Sequence, residues 1–512
     1  MAAQRDAMQE VDLEDEAPDD LPVGAAGLPS GPDDPLRRRR ARLLRWWPVA
    51  VLAVAGVVAT QLVLDTRERQ RVDAARELDR VVGHDVGPDL VVTPVGRGWD
   101  HWRLMGGIEA GDLRVAADES TVGEPRGVTA VDATSGDVVW RTAVEATGPA
   151  PGGALPDSPV CSAGDAPVEE IRCLVQDRSA GETDASGYVA QGPLTRSRLL
   201  TLDAATGAVL AERELAPVST AFASGRYLVV VEELEGVVQV RAEDLATGDA
   251  AWSTTLPEVP DALALDQEQA AVFAPGIGVE AGHVFVHHAM RGAALRLSDG
   301  ALEASGRSVW LGRGDRILTT GEDGYTWLRG TDGTGTARVL GNALQLTVDD
   351  GSVPGLDLLS DTRTGVGVIS AVEPATGATV WSHEVPDWAD GSMVLLDGVL
   401  YGADTTAVWA LDARDGSVRW RTERGRVDAV DDGDGTSMWS SMWVSPMTDG
   451  RQLLLVQYDG DQPVLSAWSL ASGAKLWTTA LPEEAGDQLV VWDHQMYGGG
   501  EAMVRLDDAA DE

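Results

Sequence analysis

Lysine is nearly missing from this chain: Lys475 is the only one in 512 residues. Phenylalanine occurs 3 times and cysteine twice. Basic residues are scarce altogether, with 40 Lys plus Arg against 82 Asp plus Glu and a formal charge of -42. That imbalance excludes a generally basic nucleic-acid-binding surface. No P-loop, serine triad or dinucleotide fingerprint is convincing, and the glycine-rich stretch 330–335 does not open a suitable helix. What is abundant is also informative. Hydrophobic residues make up 44%, which excludes a disordered acidic chain. The 58 glycines follow no collagen period and so read as turns, and tryptophan, at 17, far outnumbers phenylalanine. Arginine in place of lysine suggests a high-GC genome and an actinobacterial source.

Length alone suggests three domains at about 150 residues each, unless a repeat fold breaks that rule. Residues 1–36 hold ten acidic residues and one base, Arg5, with five prolines and no apolar period. They are expected to be a disordered, cytoplasmic acidic tail. Composition then switches. Arg37, Arg38, Arg39, Arg40, Arg42 and Arg45 form a basic juxtamembrane segment over 37–45, followed by Trp46 and Trp47. From Trp46 to Leu64 there are 19 uncharged residues. At about 1.5 Å per residue such a helix approaches the hydrocarbon thickness, so 46–64 is expected to be a transmembrane helix. The positive-inside rule would put 1–45 in the cytoplasm and the rest outside, with the tryptophans in the interface belt. A poor cleavage motif at Val57–Ala59 keeps a cleaved leader open as the competing reading. Residues 65–84 read as a short helical stalk, with Val72, Ala75, Leu78 and Val82 on one face.

Beyond residue 85 one pattern recurs. VTAVDATSGDVVW spans 128–140, LLTLDAATGAVLA 199–211 and VQVRAEDLATGDAAW 238–252. VISAVEPATGATVW spans 368–381, AVWALDARDGSVRW 407–420 and LSAWSLASGAKLW 465–477. Each unit is an alternating strand, a polar turn ending in glycine, and a second strand ending mostly in tryptophan. Gly136, Gly207, Gly248, Gly377, Gly416 and Gly473 supply the positive φ of the turn. Asp132, Asp203 and Asp412 can accept local backbone N–H groups and are read as turn formers, not catalysts. The glycines lie 71, 41, 129, 39 and 57 residues apart. Spacings of 41 and 39 fit one four-stranded blade, and 129 fits three. Ser305–Trp310 and Thr334–Val339 read as more degenerate copies within the long interval. Trp140, Trp252, Trp310, Trp381, Trp420 and Trp477 are then inter-blade packing residues. The expected fold is all-β, a seven- or eight-bladed propeller of four-stranded blades over 85–505, preceded by one transmembrane helix and followed by a tail at 506–512.

The constellation resembles the quinoprotein-type, or PQQ-like, propeller repeat. Its motif, approximately A-x-D-x-x-T-G-x-x-x-W, is matched with one inserted turn residue by Ala130, Asp132, Gly136 and Trp140, and by Ala410, Asp412, Gly416 and Trp420. The resemblance covers most of residues 90–500 and implies a fold far more than a chemistry, since the family holds quinone dehydrogenases, outer-membrane assembly lipoproteins and propellers of no known activity. A WD40-like repeat is a weaker match because Trp-Asp endings are missing. Family enzymes place the quinone on the axis, often under a disulfide of adjacent cysteines, with Ca²⁺ and an acidic base. Here Cys161 and Cys173 are not adjacent, and no motif assigns a base. No catalytic, cofactor or metal residue is therefore predicted, with Ca²⁺ and pyrroloquinoline quinone as the alternatives the family allows.

Cys161 and Cys173 fall in the long 136–207 interval, where an insertion with Pro and Gly at 149–153 is expected. Outside the cytoplasm they can form a disulfide, and closing so short a loop is worth roughly 3 kcal/mol. His283, His287 and His288 are the densest histidine cluster, but two same-side histidines make an incomplete metal site. Asp431–Gly435 lacks the spacing of an EF-hand loop. The reading is a membrane-anchored, extracytoplasmic interaction or scaffold module at the cell envelope, more a binder than an enzyme. Its expected partners are the lipid bilayer and an envelope protein, not nucleic acid. The alternative is a small-ligand sensor or a quinone-dependent oxidoreductase.

Overall fold

The computed structural model describes residues 35–95, 107–118, 127–144, 159–163, 168–183, 189–215, 220–234, 237–257, 276–288, 291–321, 325–330, 336–362, 367–385, 392–404, 406–424, 445–460, 462–499 and 503–508. The side chains of 35–50, 53, 178–194, 233–234 and 508 lie outside that description. The chain divides into two compact units, Met1–Glu68 and Arg69–Glu512. The first contains most of one helix, α1 (Pro35–Arg76). The second is a β-propeller.

Nine sheets make up the propeller, eight of four strands and one of five. Blade 1 is composite: Leu489–Trp492, Gln495–Gly499 and Met503–Asp508 are completed by Leu90–Pro94 from the other end of the chain. Blade 2 runs from Ile108 to Ala143, blade 3 from Val160 to Leu215, blade 4 from Thr220 to Thr255 and blade 5 from Gly276 to Gly306. Blade 6 runs from Ser308 to Leu340, blade 7 from Asn342 to Val385, blade 8 from Met393 to Glu423 and blade 9 from Met447 to Ala480. The first strands of neighbouring blades approach one another, so they ring the axis. Blade 8 has a fifth strand: Leu346–Asp349, which leaves blade 7 to pair in parallel with Met393–Leu395 on the axial edge.

Packing follows from this geometry. A blade's third strand is covered by neighbours on both faces, so Gly127–Asp132 and Ala407–Asp412 are buried almost throughout. They read as near-continuous apolar runs for that reason. Fourth strands face outward: along Val138–Ala143 and Ala250–Thr255 only the tryptophan is buried. Nine hydrophobic clusters fill the seams, each joining two consecutive blades. The last, with Val131 of blade 2 against Tyr497 and Met503 of blade 1, closes the ring.

Two expectations are corrected. The propeller has nine blades, not seven or eight. The composite blade carries no copy of the repeat turn, because its outer strand comes from before the repeats begin. The interval from Gly248 to Gly377 spans blades 5 and 6 whole, which carry degenerate turns.

The membrane-spanning helix is the second correction. Among the described residues no helix is long and apolar enough to cross a membrane. α1 is one continuous helix of 42 residues that carries on into the charged run after Leu64. Its apolar stretch with described side chains is Val51–Leu64, about 21 Å at 1.5 Å per residue against about 30 Å of hydrocarbon. The single-pass localisation, with a cytoplasmic N-terminus and an extracytoplasmic domain, falls with that helix. Arg37, Arg38, Arg39, Arg40, Arg42, Arg45, Trp46 and Trp47 lie within α1, their side chains outside the described residues.

After Glu68 the chain is strapped onto the propeller. Val72 and Ala75 in the last turns of α1, then Val81, Val82 and Val86, are buried. Ala75 and Val81 pack into the seam of blades 8 and 9, and Val82 and Val86 into that of blades 9 and 1. The backbone is pinned as well. Arg76 Nε donates to Asp449 O at 3.1 Å, Val82 N to Thr448 O at 2.9 Å and Val86 N to Asp449 Oδ2 at 3.1 Å.

Candidate functional site

The structure places most of the residues singled out from the repeat. Gly136, Gly207, Gly248, Gly377, Gly416 and Gly473 sit in the last turn of their blades with φ between 69° and 76°. Where an aspartate opens the turn, as Asp132, Asp203, Asp244 and Asp412 do, its carboxylate caps it. Asp132 Oδ1 accepts from Ser135 N at 2.7 Å and Asp203 Oδ1 from Thr206 N at 2.8 Å. The Ser135 and Thr134 N–H groups hold Asp132 below its ordinary value, and the Thr206 hydroxyl and N–H do the same for Asp203. For Asp412 burial pushes upward, but Arg419 and the Arg414 N–H outweigh it.

Four tryptophans reach one blade onward. Trp140 Nε1 donates to Ala204 O at 3.0 Å, Trp252 to Leu297 O at 2.8 Å, Trp381 to Ala413 O at 3.0 Å and Trp420 to Leu470 O at 2.9 Å. Three of them are followed two residues later by a threonine on the same turn: Thr142 bonds Gly207 O at 2.6 Å, Thr254 Gly300 O at 2.6 Å and Thr422 Gly473 O at 2.7 Å. Gly300, at φ 70°, is therefore the turn glycine of blade 5. The sequence reading missed it in favour of Ser305-Gly306, although Asp299-Gly300 repeats the Asp415-Gly416 pair. Trp310 lies on the first strand of blade 6, partly buried against the cluster shared with blade 7. Trp477 bonds Gln452 Oε1 of its own blade at 3.0 Å. Thr334 and Gly335 lie outside the described residues, as do Asp431–Gly435.

Cys161 and Cys173 form a disulfide. They face each other across the first two strands of blade 3 and join the core between blades 2 and 3. His283 is buried and engaged: Nε2 lies 3.0 Å from Glu303 Oε2 and Nδ1 2.9 Å from Ala281 O. His287 is exposed, so the same-side pair is not assembled into a site. Among the described residues no group of three or more His, Cys, Asp or Glu is placed to hold a metal ion.

The candidate site lies at one end of the axis, a pocket of about 540 Å³. Blade 1 supplies Leu489–Trp492 and the turn Asp493-His494; blade 2 supplies Glu109 and Arg114. Met447 of blade 9, Pro446, Thr347 of the inserted parallel strand, and Asp79 and Arg80 of the strap complete the wall. Arg114 is 8% exposed, and its guanidinium lies 4.3 Å from the centre of the Trp492 ring. It is paired with Glu109 and donates to Gly107 O at 3.0 Å, while Nε has no partner. Burial pulls Arg114 below its ordinary value, and Glu109 pushes back.

The floor of the pocket is strained. Asp493 and His494, at φ 46° and 60°, form a two-residue hairpin turn where Asn-Gly is the usual choice. Non-glycine residues held there persist only when their surroundings over-determine them, and such positions cluster at functional sites. Here the strap does so: Gly83 N donates to His494 O at 2.7 Å, and His494 Nδ1 lies 3.2 Å from Val81 O. Thr347 Oγ1 ties the inserted strand to blade 9, 3.1 Å from Pro446 O. None of these pocket residues belongs to the repeat motif. The one signal the sequence offered was a hairpin turn with no glycine.

Nine closed blades, seven of them with a described positive-φ glycine in the last turn and four with an interlocking tryptophan, define a propeller of the PQQ-like class. The family model for outer membrane protein assembly factor BamB matches residues 124–308, 358–425 and 423–511, well over half the chain. The chain belongs to that family. Comparison with curated proteins yields no match. Among solved structures, the crystal structure of BamB from Moraxella catarrhalis is 17% identical, with 81% of this chain and 97% of that chain covered and a TM-score of 0.37. Quinohemoprotein alcohol dehydrogenase from Comamonas testosteroni is 12% identical, with 85% and 81% covered and a TM-score of 0.33. Saccharomyces cerevisiae Sqt1 is 8% identical, with 83% and 99% covered and a TM-score of 0.39. Likenesses of this size assign no ligand or partner.

Proposed function

We propose that this protein is a binding or scaffold propeller that takes a segment of a partner protein into the axial pocket. The observation that supports this most is the make-up of the wall. Apolar Pro446, Met447, Leu489 and Val490 share the wall with Asp79, Glu109, Asp493 and the stacked Arg114–Trp492 pair. Interface anchors are typically tryptophan and arginine set in such a rim. The acidic chain favours partners with basic segments.

A photo-crosslinking residue at Ser445, on the pocket wall beside Pro446, in the full chain in its native cells, tests the reading. A discrete protein adduct is expected, and Trp492→Ala should reduce it at unchanged expression. Adducts only from outer-edge positions, with none from Ser445, would sink the pocket as the contact. Turnover of a small substrate that depends on an added quinone would favour the oxidoreductase branch of the fold instead.

A further inference from the structure

Among the described residues the longest strands belong to blade 3. Glu170–Thr183 has 14 residues and Val189–Asp203 has 15, whereas the outer members of the same blade have 4 and 7. Among the described residues, Val160–Ala163 accompanies the first long strand only as far as Leu174, and Val209–Leu215 leaves the second at Ser197. The long strands go on paired with each other, through Asp177–Arg196 and Ala180–Gln191 to Thr183–Val189. A two-stranded arm therefore runs past the blade. From Asp177 to Thr183 it extends roughly 20 Å, at about 3.3 Å per residue.

Such an arm is incomplete by itself. An isolated two-stranded ribbon is marginal in water, and three or more strands are needed for independent stability. Three register shifts along the arm also interrupt its own ladder. The two edges are unlike. The second strand carries Pro193, which has no N–H to donate, and Gly192 beside it, the usual means of blunting an exposed edge. From Arg178 to Thr183 the first strand has no proline, so every residue there carries a backbone donor. Charge separates the arm from the rest of the protein. Residues 175–196 hold three acids (Asp177, Glu182, Asp184) against two arginines (Arg178, Arg196), in a chain whose net charge is -42. Two copies can bring this part together with little repulsion.

We infer that the open edge of Arg178–Thr183 pairs with the same edge of a second copy of this chain about a twofold axis. Antiparallel pairing of one edge with itself is self-complementary, as a twofold interface requires. It yields a four-stranded sheet whose two outer edges are the proline-bearing strands, so the assembly stops at two. This surface is separate from the axial pocket, and either can fail without the other.

Sedimentation equilibrium of the full chain at about 0.15 M and 0.5 M salt reads the stoichiometry, with surface charge screened in the second case. A dimer of about 108 kDa, twice 54.0 kDa, is expected. Replacing 178–195 by Asn-Gly, a two-residue turn joining Asp177 to Arg196, should give a monomer with an unchanged melting curve. Ala180→Cys should form a covalent dimer under mild oxidation, and Gln191→Cys on the blunted strand should not. That second measurement stands even if the shortened variant fails to fold. A monomeric full chain, a shortened variant that still dimerises, or equal crosslinking at Gln191→Cys overturns the inference.

Discussion

The indole of Trp140 fills the space a side chain on Gly207 would need: a Cβ there would lie 2.6 Å from Cδ2 of the ring. The two residues belong to successive blades, so the turn of one is shaped to receive the tryptophan of the other. The same holds for Trp252 with Gly300, Trp381 with Gly416 and Trp420 with Gly473. Glycine at these turns thus answers two demands at once, a positive φ and a seat for an aromatic ring.

Removing the ring should cost more than removing its N–H. Trp140→Ala is expected to lower stability by about 3–5 kcal/mol, as for other large-to-small core changes. Trp140→Phe keeps most of the packing but leaves the Ala204 carbonyl without its donor, a loss of about 1–3 kcal/mol. Urea unfolding midpoints of the two variants decide this. Equal losses would show that the hydrogen bond, not the packing, dominates the seam.

Gly300 and Gly111 share a positive φ, 70° and 63°, but not a neighbourhood. A Cβ on Gly300 would meet Trp252, whereas one on Gly111 has nothing within 4 Å. Gly111→Ala should therefore cost only the left-handed backbone, about 1–2 kcal/mol. Gly300→Ala adds overpacking of about 1–3 kcal/mol. Thermal melts of the pair test this, and similar losses at both sites would refute the seat as the reason for glycine at 300.

Asp203 makes the repeat turn sensitive to acid. Its carboxyl is held below the ordinary 3.8 by the Thr206 hydroxyl and N–H, so its charged form favours the folded state. That contribution is complete above 3.8 and is lost as pH falls through the folded value. Asp203→Asn keeps an acceptor but cannot titrate. Its urea midpoint should fall less between pH 5 and acid than that of the unmodified chain, and parallel curves would remove Asp203 as a source of acid lability.

Tyr497 has the opposite sense. Burial in the seam between blades 1 and 2 pushes its phenol up to about 12 from the ordinary 10.0. The neutral form is the one that fits, so its contribution is whole below 10.0 and is lost as pH rises towards 12. Tyr497→Phe should flatten the decline in stability above pH 10. An unchanged slope would assign the alkaline limit to another group, with Tyr458, also raised to about 12, the next to substitute.

Much of the fold was legible because the repeat advertises itself. Asp132-to-Gly136 and its relatives are local devices, fixed by φ and by side-chain-to-backbone bonds within five residues, so they read directly from the chain. The blade count did not, because it depends on a sheet assembled from residues 90–94 and 489–508. Blades 5 and 6 were blurred for another reason: Ala304 stands where the repeat has tryptophan, so Trp310 drew the eye to the wrong strand. The pocket was the least legible part. Arg114, Trp492 and Thr347 come from three blades and share no motif; only their positions near the axis bring them together. The parallel strand Leu346–Asp349 is four residues long and skips from one blade to the next, which no local pattern announces.

The composite blade sets the order in which this protein can be finished. Thr93 bonds Asp507 at 2.9 Å across 414 positions of sequence. Leu90–Pro94 has no partner strand until Met503–Asp508 leaves the ribosome, some 400 residues later. The strap has the same difficulty, since Gly83 and Val86 bind residues beyond 448. The earliest described strand thus waits for the latest. Until that pairing forms, the growing propeller is an open arc, and the apolar side chains of Val72, Ala75, Val81, Val82 and Val86 lack the late blades that bury them.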